Sequence, residues 1–360
     1  MTSPARERYT TIVAGAGPAG ILAAFHAAER GPVLLAEAGS LPRSKSCGGM
    51  IHELSRETLR PYGEIPTAIV RQPETVHFRY HDWDRDIKKL TDLAFLNVDR
   101  AGFDDWLLRL LPSTVEVLSS AAVRSFTQDD TGITVQLSVD GADVSVSADL
   151  LIGADGARSR VRRTLGLSDS ASYVTLQDFV TLTGPIDPVF DCIYMRGIGD
   201  EFGYAYVVPK GEVALIGSVF YPHTKRPWEK QDRVVELLRE RMPSLGDQVA
   251  REASAALYLR SPADILPGHG RVLLAGEAGG FMSPTSGEGI SYALRTGQAA
   301  GRAAALGADG ALERYTGLAA PIIADLRRRF RWLPLMESRA GKYLAGFVPA
   351  PIVSKVTQGL

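Results

Sequence analysis

The chain has 360 residues, enough for two domain-like halves around a sizeable core. Hydrophobic residues make up 45% and charged residues 22%, and 40 Lys and Arg against 41 Asp and Glu leave a net charge of −1, a balance that speaks against a nucleic-acid partner. Cys47 and Cys192 are the two cysteines, too few for a disulfide framework or a cysteine-rich metal site, so no metal and a reducing, cytoplasmic setting are expected.

The opening segment MTSPARERYT carries no apolar signal core, and no apolar run approaches the ~20 residues of a membrane helix. Tyr9 to Ala14 is a short apolar run that suits a buried parallel strand. Pro18 to Arg30 has helical composition and stops at Gly31, and Val33 to Glu37 is a second apolar strand. Strand, helix and strand within about 30 residues make a βαβ unit. Gly15, Gly17 and Gly20 form G-x-G-x-x-G at its first turn, followed by Pro18 and Ala19 in the helix. In that context Gly15 permits the turn, Gly17 lets the backbone approach a pyrophosphate, and Gly20 packs helix on strand. Glu37, with Ala38 after it, ends the second strand at the spacing of a ribose contact. This motif alone does not separate a nicotinamide dinucleotide from a flavin dinucleotide.

Next comes SKSCGGMI, residues 44–51, which places Cys47 directly before Gly48 and Gly49. From Val115 to Val146 short strand-like runs alternate with turn signals, and Asp149 to Gly153 reads as another buried strand. The stretch LLIGADGARSRVRR sets Asp155 and Gly156 at that strand's end, before a basic helix. Tyr173 to Phe220 is rich in β signals, and Cys192 falls in one of these runs as an expected core residue. Pro227 to Arg241 reads as an amphipathic helix with Val234, Val235, Leu237 and Leu238 on its apolar side.

The segment RVLLAGEAGGFMSPTSGEGISYALRTG then runs a strand into Gly276 and Glu277, a carboxylate suited to a sugar-alcohol chain. Pro284, Gly287, Glu288 and Gly289 lead into a helix from Ile290. Beyond Ala311 the chain reads as helical, interrupted by Pro321, Pro334, Pro349 and Pro351. Nucleotide-binding elements near the start, residue 155 and residue 276 imply a discontinuous cofactor domain over 1–72, 99–170 and 261–310. The expected substrate sheet covers 73–98 and 171–260, with a helical region over 311–360.

These three motifs, in this order, resemble those of FAD-dependent enzymes of the p-hydroxybenzoate hydroxylase fold. The resemblance implies an α/β fold: a Rossmann-like FAD-binding domain, an inserted antiparallel substrate sheet and a helical C-terminus. It places Asp155 and Gly156 near the FAD pyrophosphate, Glu277 at the ribityl chain in place of the family aspartate, and Arg100, in NVDRAGFDDWLLRL, beside the flavin. Within the group, the third motif lacks the G-D-A-A-H histidine of aromatic hydroxylases. Its SPTSGEGI and the early CGG are similar to geranylgeranyl reductases, especially short bacterial members of the CbrA type. The run YAYVVPKGEVALIG resembles their substrate motif, with Tyr204, Tyr206, Val208, Pro209 and Gly217 in place, although Tyr206 stands for tryptophan and Val208 for phenylalanine. The W-x-W-x-I-P signature of flavin halogenases is absent.

The resemblance implies hydride delivery from reduced FAD to carbon–carbon double bonds of an isoprenoid (prenyl-type) substrate. NADPH or a reduced ferredoxin-like protein is the implied electron donor. Cys47, Gly48 and Gly49 would then pass close to the flavin ring, with Cys47 as proton donor. Tyr204 and Tyr206 would line an apolar tunnel, and the helix N-terminus after Gly287 and Gly289 would offset charge on the reduced ring. Two rival readings stand beside this one: an FAD-dependent monooxygenase acting on an aromatic or polyketide-like compound, and a flavin-holding sensor without turnover. Arg327, Arg328, Arg329 and Arg331 among apolar neighbours add an expectation of peripheral membrane contact.

Overall fold

The computed structural model describes residues 3–43, 45–166, 171–338, 341 and 347–352. Ser44, in the SKSCGGMI stretch, lies outside the described residues. The first βαβ unit is β1 (Arg8–Ala14), α1 (Pro18–Ala27) and β2 (Val33–Ala36). A short strand β3 (Met50–Ile51) and α2 (Glu53–Leu59) follow, then a long hairpin of β4 (Val70–Asp82) and β5 (Ile87–Val98). α3 (Arg100–Leu108) leads to β6 (Val115–Leu118), β7 (Ala121–Gln128), β8 (Ile133–Val139), β9 (Ala142–Gly153) and α4 (Arg160–Thr164). The next run is β10 (Ser172–Leu182), β11 (Val189–Tyr194), β12 (Phe202–Lys210), β13 (Val213–Phe220), α5 (Pro227–Arg241) and β14 (Leu245–Leu257). The chain closes with β15 (Gly268–His269), β16 (Val272–Leu274), α6 (Ile290–Ala305), α7 (Ala311–Arg329) and α8 (Leu333–Glu337).

Two eight-stranded sheets result. The first has the order β15-β16-β9-β1-β2-β6, with the β7–β8 hairpin attached to β9. Its core strands pair in parallel; β2 and β16 are wholly apolar, and β1 and β9 become apolar and buried toward their carboxyl ends, as strands covered on both faces must be. Ala14 lies opposite Ala36 on one side and Gly153 on the other, and Gly153 lies opposite Leu274. All three nucleotide motifs, far apart in sequence, therefore leave the sheet at one carboxyl edge, where open α/β sheets bind ligands.

The second sheet has the order β14-β10-β13-β12-β11-β4-β5-β3 and is antiparallel except where β11 meets β4. One face buries the apolar side of α5, where Val234, Val235 and Leu238 are buried with Leu237 packed alongside. The other face carries an aromatic layer that looks toward the first sheet's carboxyl edge.

α1 and α6 cross at very short range. A Cβ at Gly297 would lie 2.1 Å from the Ala19 carbonyl oxygen, and one at Gly301 would lie 2.5 Å from that of Ala23. Glycine at those two positions lets the N-termini of both helices converge on one space. α7 differs from the sequence expectation, because it runs through Pro321 without a break. Proline forfeits one hydrogen bond and crowds the carbonyl four residues earlier, here that of the unencumbered Gly317. Buried Ile322, Ile323 and Leu326 hold the helix against the core.

Candidate functional site

A cavity of about 560 Å³ lies between the carboxyl edge of the first sheet and the aromatic face of the second. Gly15, Gly17, Pro18 and Ala19 form its floor at the start of α1. Gly15 has φ +97°, and a Cβ there would lie 2.5 Å from the Ala154 oxygen. Gly20 does not line the cavity; its missing side chain lets α1 sit on the turn, since a Cβ would lie 1.8 Å from the Gly15 oxygen. Glu37 and Ala38 line the wall at the end of β2. The Glu37 carboxylate accepts from the Ala16 N–H at 2.7 Å and the Gly39 N–H at 3.0 Å, which fixes the glycine turn.

Asp155 and Gly156 also line the cavity, but the Asp155 carboxylate points away to cap α4. It accepts from Ser159 Oγ at 2.5 Å and from the N–H groups of Arg160 at 2.7 Å and Val161 at 3.1 Å. Burial raises the Asp155 carboxyl above its ordinary range, and these hydrogen bonds pull the other way. The segment Ala154–Asp155 serves the site by walling the Gly15 turn.

Glu277 lines the cavity with both oxygens already engaged. One accepts from the Leu257 N–H at 2.7 Å and the other pairs with Lys45 Nζ at 2.6 Å. Gly276 sits beneath, with φ +57° and outside the cavity wall. Pro284, Gly287, Glu288, Gly289 and Ile290 all line the cavity at the start of α6. Glu288 accepts from the Ser291 N–H at 2.8 Å and Ser291 Oγ at 2.7 Å, so it partly satisfies that helix end.

The CGG segment crosses the middle of the cavity. Cys47 and Gly48 line it, and a Cβ at Gly48 would lie 3.3 Å from the Phe190 ring. Gly49 is not in the wall: it has φ +67°, and a Cβ there would lie 2.2 Å from the Val98 oxygen, so this glycine docks the segment on β5. Cys47 is half-buried, and the Arg100 guanidinium reaches its sulfur. Arg100 also forms a two-pronged pair with Asp104, at 2.9 and 3.1 Å. Burial alone would lower the Arg100 pKa, but Asp104 and Cys47 beside it raise it.

Lys210 stands behind Gly49, its ammonium donating to Asn97 Oδ1 at 2.6 Å and the Val98 oxygen at 2.9 Å. Burial pushes the Lys210 pKa down to about 7, against the opposing pull of Cys47 and Asp99.

The far wall is aromatic. Phe190 stacks on Tyr206 at 5.1 Å and on Phe78 at 5.9 Å, while Tyr204 lies 6.3 Å from Tyr206 and 6.1 Å from Tyr194. Tyr204 and Tyr206 line the cavity, and burial raises both phenols above their ordinary range. Tyr206 occupies a slot over Gly217, directly opposite on β13, and its hydroxyl accepts from Gln177 Nε2 at 2.6 Å. Val208 and Pro209, expected at the substrate, are not in the wall: Val208 packs beneath Tyr206, and the Pro209 carbonyl accepts from Asn97 Nδ2 at 2.9 Å. Cys192 is buried among Phe78, Tyr80 and Leu93, and burial pushes its thiol up to about 12.

Sequence reasoning missed three groups. Arg43 projects over Gly17 and pairs with Asp104 at 3.2 Å; Lys45 pairs with Glu277; Glu337 closes the far end. Arg43 and Lys45 flank the CGG segment, and that proximity was the available signal.

The lining fits a flavin dinucleotide. Gly15 and Gly17 keep the α1 N-terminus bare of side chains of its own, the Arg43 guanidinium lies over Gly17 as a cation for a diphosphate, and the cavity continues into an apolar chamber. No helix among the described residues is long and apolar enough to cross a membrane.

Comparisons agree with that fit. Protein CbrA of Escherichia coli O9:H4 (strain HS) is 28% identical over 298 residues, covering 80% of this chain and 79% of that protein. Among solved structures, a geranylgeranyl bacteriochlorophyll reductase-like protein from Thermoplasma acidophilum superposes with a TM-score of 0.79 at 19% identity, over 98% of this chain and 92% of that one. The flavin-dependent brominase Bmp2 superposes with a TM-score of 0.76 at 15% identity, over 97% and 92%. Both likenesses are likenesses of fold. The fold is that of FAD-dependent oxidoreductases, and residues 8–311 match the FAD binding domain family, to which this chain belongs.

Proposed function

We propose that this flavoprotein reduces carbon–carbon double bonds of an apolar, prenyl-type substrate. One observation carries the reading: Cys47, beside Arg100, stands in the wall where the glycine-lined half of the cavity meets the aromatic half. Bound FAD, reduced by NADPH or by a ferredoxin-like protein, supplies the hydride. Gly15, Gly17 and Arg43 would hold the diphosphate, and the start of α6 would face the ring system. Cys47 Sγ would give a proton to the carbon that receives no hydride. Arg100 and Lys210 would balance the charge left on sulfur. Tyr204, Tyr206 and Phe190 would exclude water and orient the chain of the substrate.

The CGG segment and the likeness in fold to a geranylgeranyl bacteriochlorophyll reductase-like protein support this reading. A monooxygenase acting on an aromatic or polyketide-like compound is the rival, and the stacked Phe190–Tyr206 wall would also suit a planar substrate. The test is product mass after incubating the reduced holoprotein with prenyl lipids and with aromatic metabolites, with and without oxygen. A gain of ~2 Da per event that ignores oxygen supports hydride delivery; a gain of ~16 Da that requires oxygen overturns it in favour of the monooxygenase.

A further inference from the structure

The far end of the aromatic chamber has a chemistry of its own. Tyr173 and Tyr221 line it from β10 and from the residue after β13, and Leu333, Met336 and Glu337 close it from α8. Tyr173 and Tyr221 lie 5.6 Å apart, ring to ring. Tyr258 stands behind them, 4.9 Å from Tyr173 and 6.0 Å from Tyr221, and hydrogen-bonds Glu337. Burial first, then the nearby Glu337 carboxylate, raises the Tyr221 and Tyr258 phenols above their ordinary range. Burial and the neighbouring Tyr221 and Glu337 do the same for Tyr173.

The rings pack too closely against one another to enclose a cation between them, so this is not an aromatic cage. It is a rack of phenols around a carboxylate, set into an otherwise apolar wall.

Charge elsewhere in the cavity is distributed unevenly. Its lysine and arginine lining groups are Arg43, Lys45, Arg100, Arg124, Arg158 and Arg160, all on segments of the glycine-lined half. On the aromatic side, the basic lining group among the described residues is His52, whose Nδ1 accepts from the Leu54 N–H at 3.2 Å. Arg260, felt by Tyr258, is exposed and outside the wall. Among the described residues no lysine or arginine lines this end, so an anionic head group here would face the Glu337 carboxylate, at a cost that low-dielectric surroundings magnify. A hydroxyl or ammonium would find an acceptor.

We infer that Glu337, with Tyr173 and Tyr221, reads the polar end of the substrate and admits a hydrogen-bond-donating, non-anionic head group while rejecting a phosphate. The inference rests on the aromatic chamber being the substrate site, and it names the substrate class more narrowly than the reductase reading does. An apolar chain ending in an alcohol or amine fits; its phosphate or diphosphate ester does not.

The test uses saturated ligands that no reductase can turn over, so it is independent of the reaction. Dodecanol, dodecylamine and dodecyl phosphate, each below its micelle concentration, are titrated calorimetrically into the FAD-loaded protein. Dodecanol or dodecylamine should bind at least tenfold more tightly than dodecyl phosphate. Glu337→Gln should weaken dodecylamine by about 10- to 100-fold, the worth of one charge-assisted hydrogen bond, and leave dodecanol nearly unchanged. Glu337→Lys should reverse the order and favour the phosphate. The melting temperature of each variant separates a loosened α8 from a changed preference, and Tyr221→Phe, which keeps the ring, reports on the rack without touching the carboxylate.

Phosphate binding as tight as the amine in the unaltered protein would overturn the inference, as would an unchanged order in Glu337→Lys of normal melting temperature. If none of the three binds, the apolar-chamber reading fails and the inference fails with it. If the order holds but no alkene is reduced, the reductase reading alone is lost.

Discussion

Replacing Gly217 by alanine tests how the aromatic wall of the cavity is built. Gly217 lies opposite Tyr206 on the adjacent strand, and the tyrosine ring lies over its bare backbone. A Cβ at residue 217 would come within 2.1 Å of Cζ, 2.4 Å of the hydroxyl and 2.5 Å of Cε1. Carbon atoms in contact sit about 3.5–4.0 Å apart, so the ring must retreat by roughly 1.5 Å. That movement pulls the hydroxyl from Gln177, now at 2.6 Å, and tilts the ring off Phe190, now 18° from parallel.

Losing a buried hydrogen bond costs about 1–3 kcal/mol. The disturbed stack adds about 0.5–1.5 kcal/mol. A total near 2–4 kcal/mol is a large share of a typical folding stability and should lower the melting temperature by roughly 3–5 °C in a chain of this length. Because the clash lies in the second sheet, FAD content should stay normal while binding of apolar ligands weakens. Tyr206→Ala removes the obstacle, so the double variant should cost little more than Tyr206→Ala alone, a coupling of roughly 2–4 kcal/mol in a double-mutant cycle. A Gly217→Ala protein that melts within about 1 °C of the parent, with additive effects in the cycle, would refute the claim that this glycine exists to seat Tyr206.

Three further perturbations address the other parts of the cavity. Gly17→Val should abolish retention of FAD, since even a Cβ there would lie 2.6 Å from the Arg43 guanidinium and would fill the diphosphate space; the flavin absorbance of purified protein reads this directly. Cys47→Ala should keep FAD bound and slow substrate reduction by about 10²–10⁴-fold, the usual contribution of a placed proton donor; unchanged turnover would return Cys47 to a packing role. Lys210 makes stability depend on pH: its pKa is about 7 in the fold and about 10.4 in the unfolded chain. Between those values the unfolded state binds more protons, so stability rises with pH from about 7 to about 10, by up to about 1.4 kcal/mol per unit, and is lost again as pH falls. Lys210→Met should flatten that rise in a series of thermal melts, and equal slopes for the two proteins would refute the assignment.

The parts of this molecule that were legible in sequence are those that one continuous segment builds. β1, the glycine turn and α1 needed only local chemistry, and Glu37 closes the turn from the next strand. The amphipathic run at Pro227–Arg241 likewise forms the helix its periodicity demands. Asp155 lines the cavity, and its side chain has a task the motif did not announce: Ser159 and the N–H groups of Arg160 and Val161 hold its carboxylate. An aspartate four residues before a serine at a helix start is also a capping signal. Pro321 is a local breaker overridden by the buried face of α7. Glu337 lay beyond reach, because nothing in Leu333–Glu337 shows that the chain returns to cover a sheet whose tyrosines are 79 to 164 residues earlier.

The one departure in the third motif now has a physical account. A carboxylate at residue 277 is expected from the family resemblance, and glutamate extends it by one methylene, roughly 1.5 Å. That reach takes one oxygen to the Leu257 N–H at the end of β14, on the second sheet. It takes the other to Lys45, 232 residues earlier and two residues before Cys47. An aspartate on the same backbone would fall short of at least one of these partners. The longer side chain therefore ties the first sheet's carboxyl edge, the second sheet and the CGG segment at one point. The Glu277 side chain is only 11% exposed, so this pair is shielded from water and holds its geometry better than a surface pair would. Gly49 docks the same segment on β5, and the substitution that looks conservative in sequence joins that segment to both sheets.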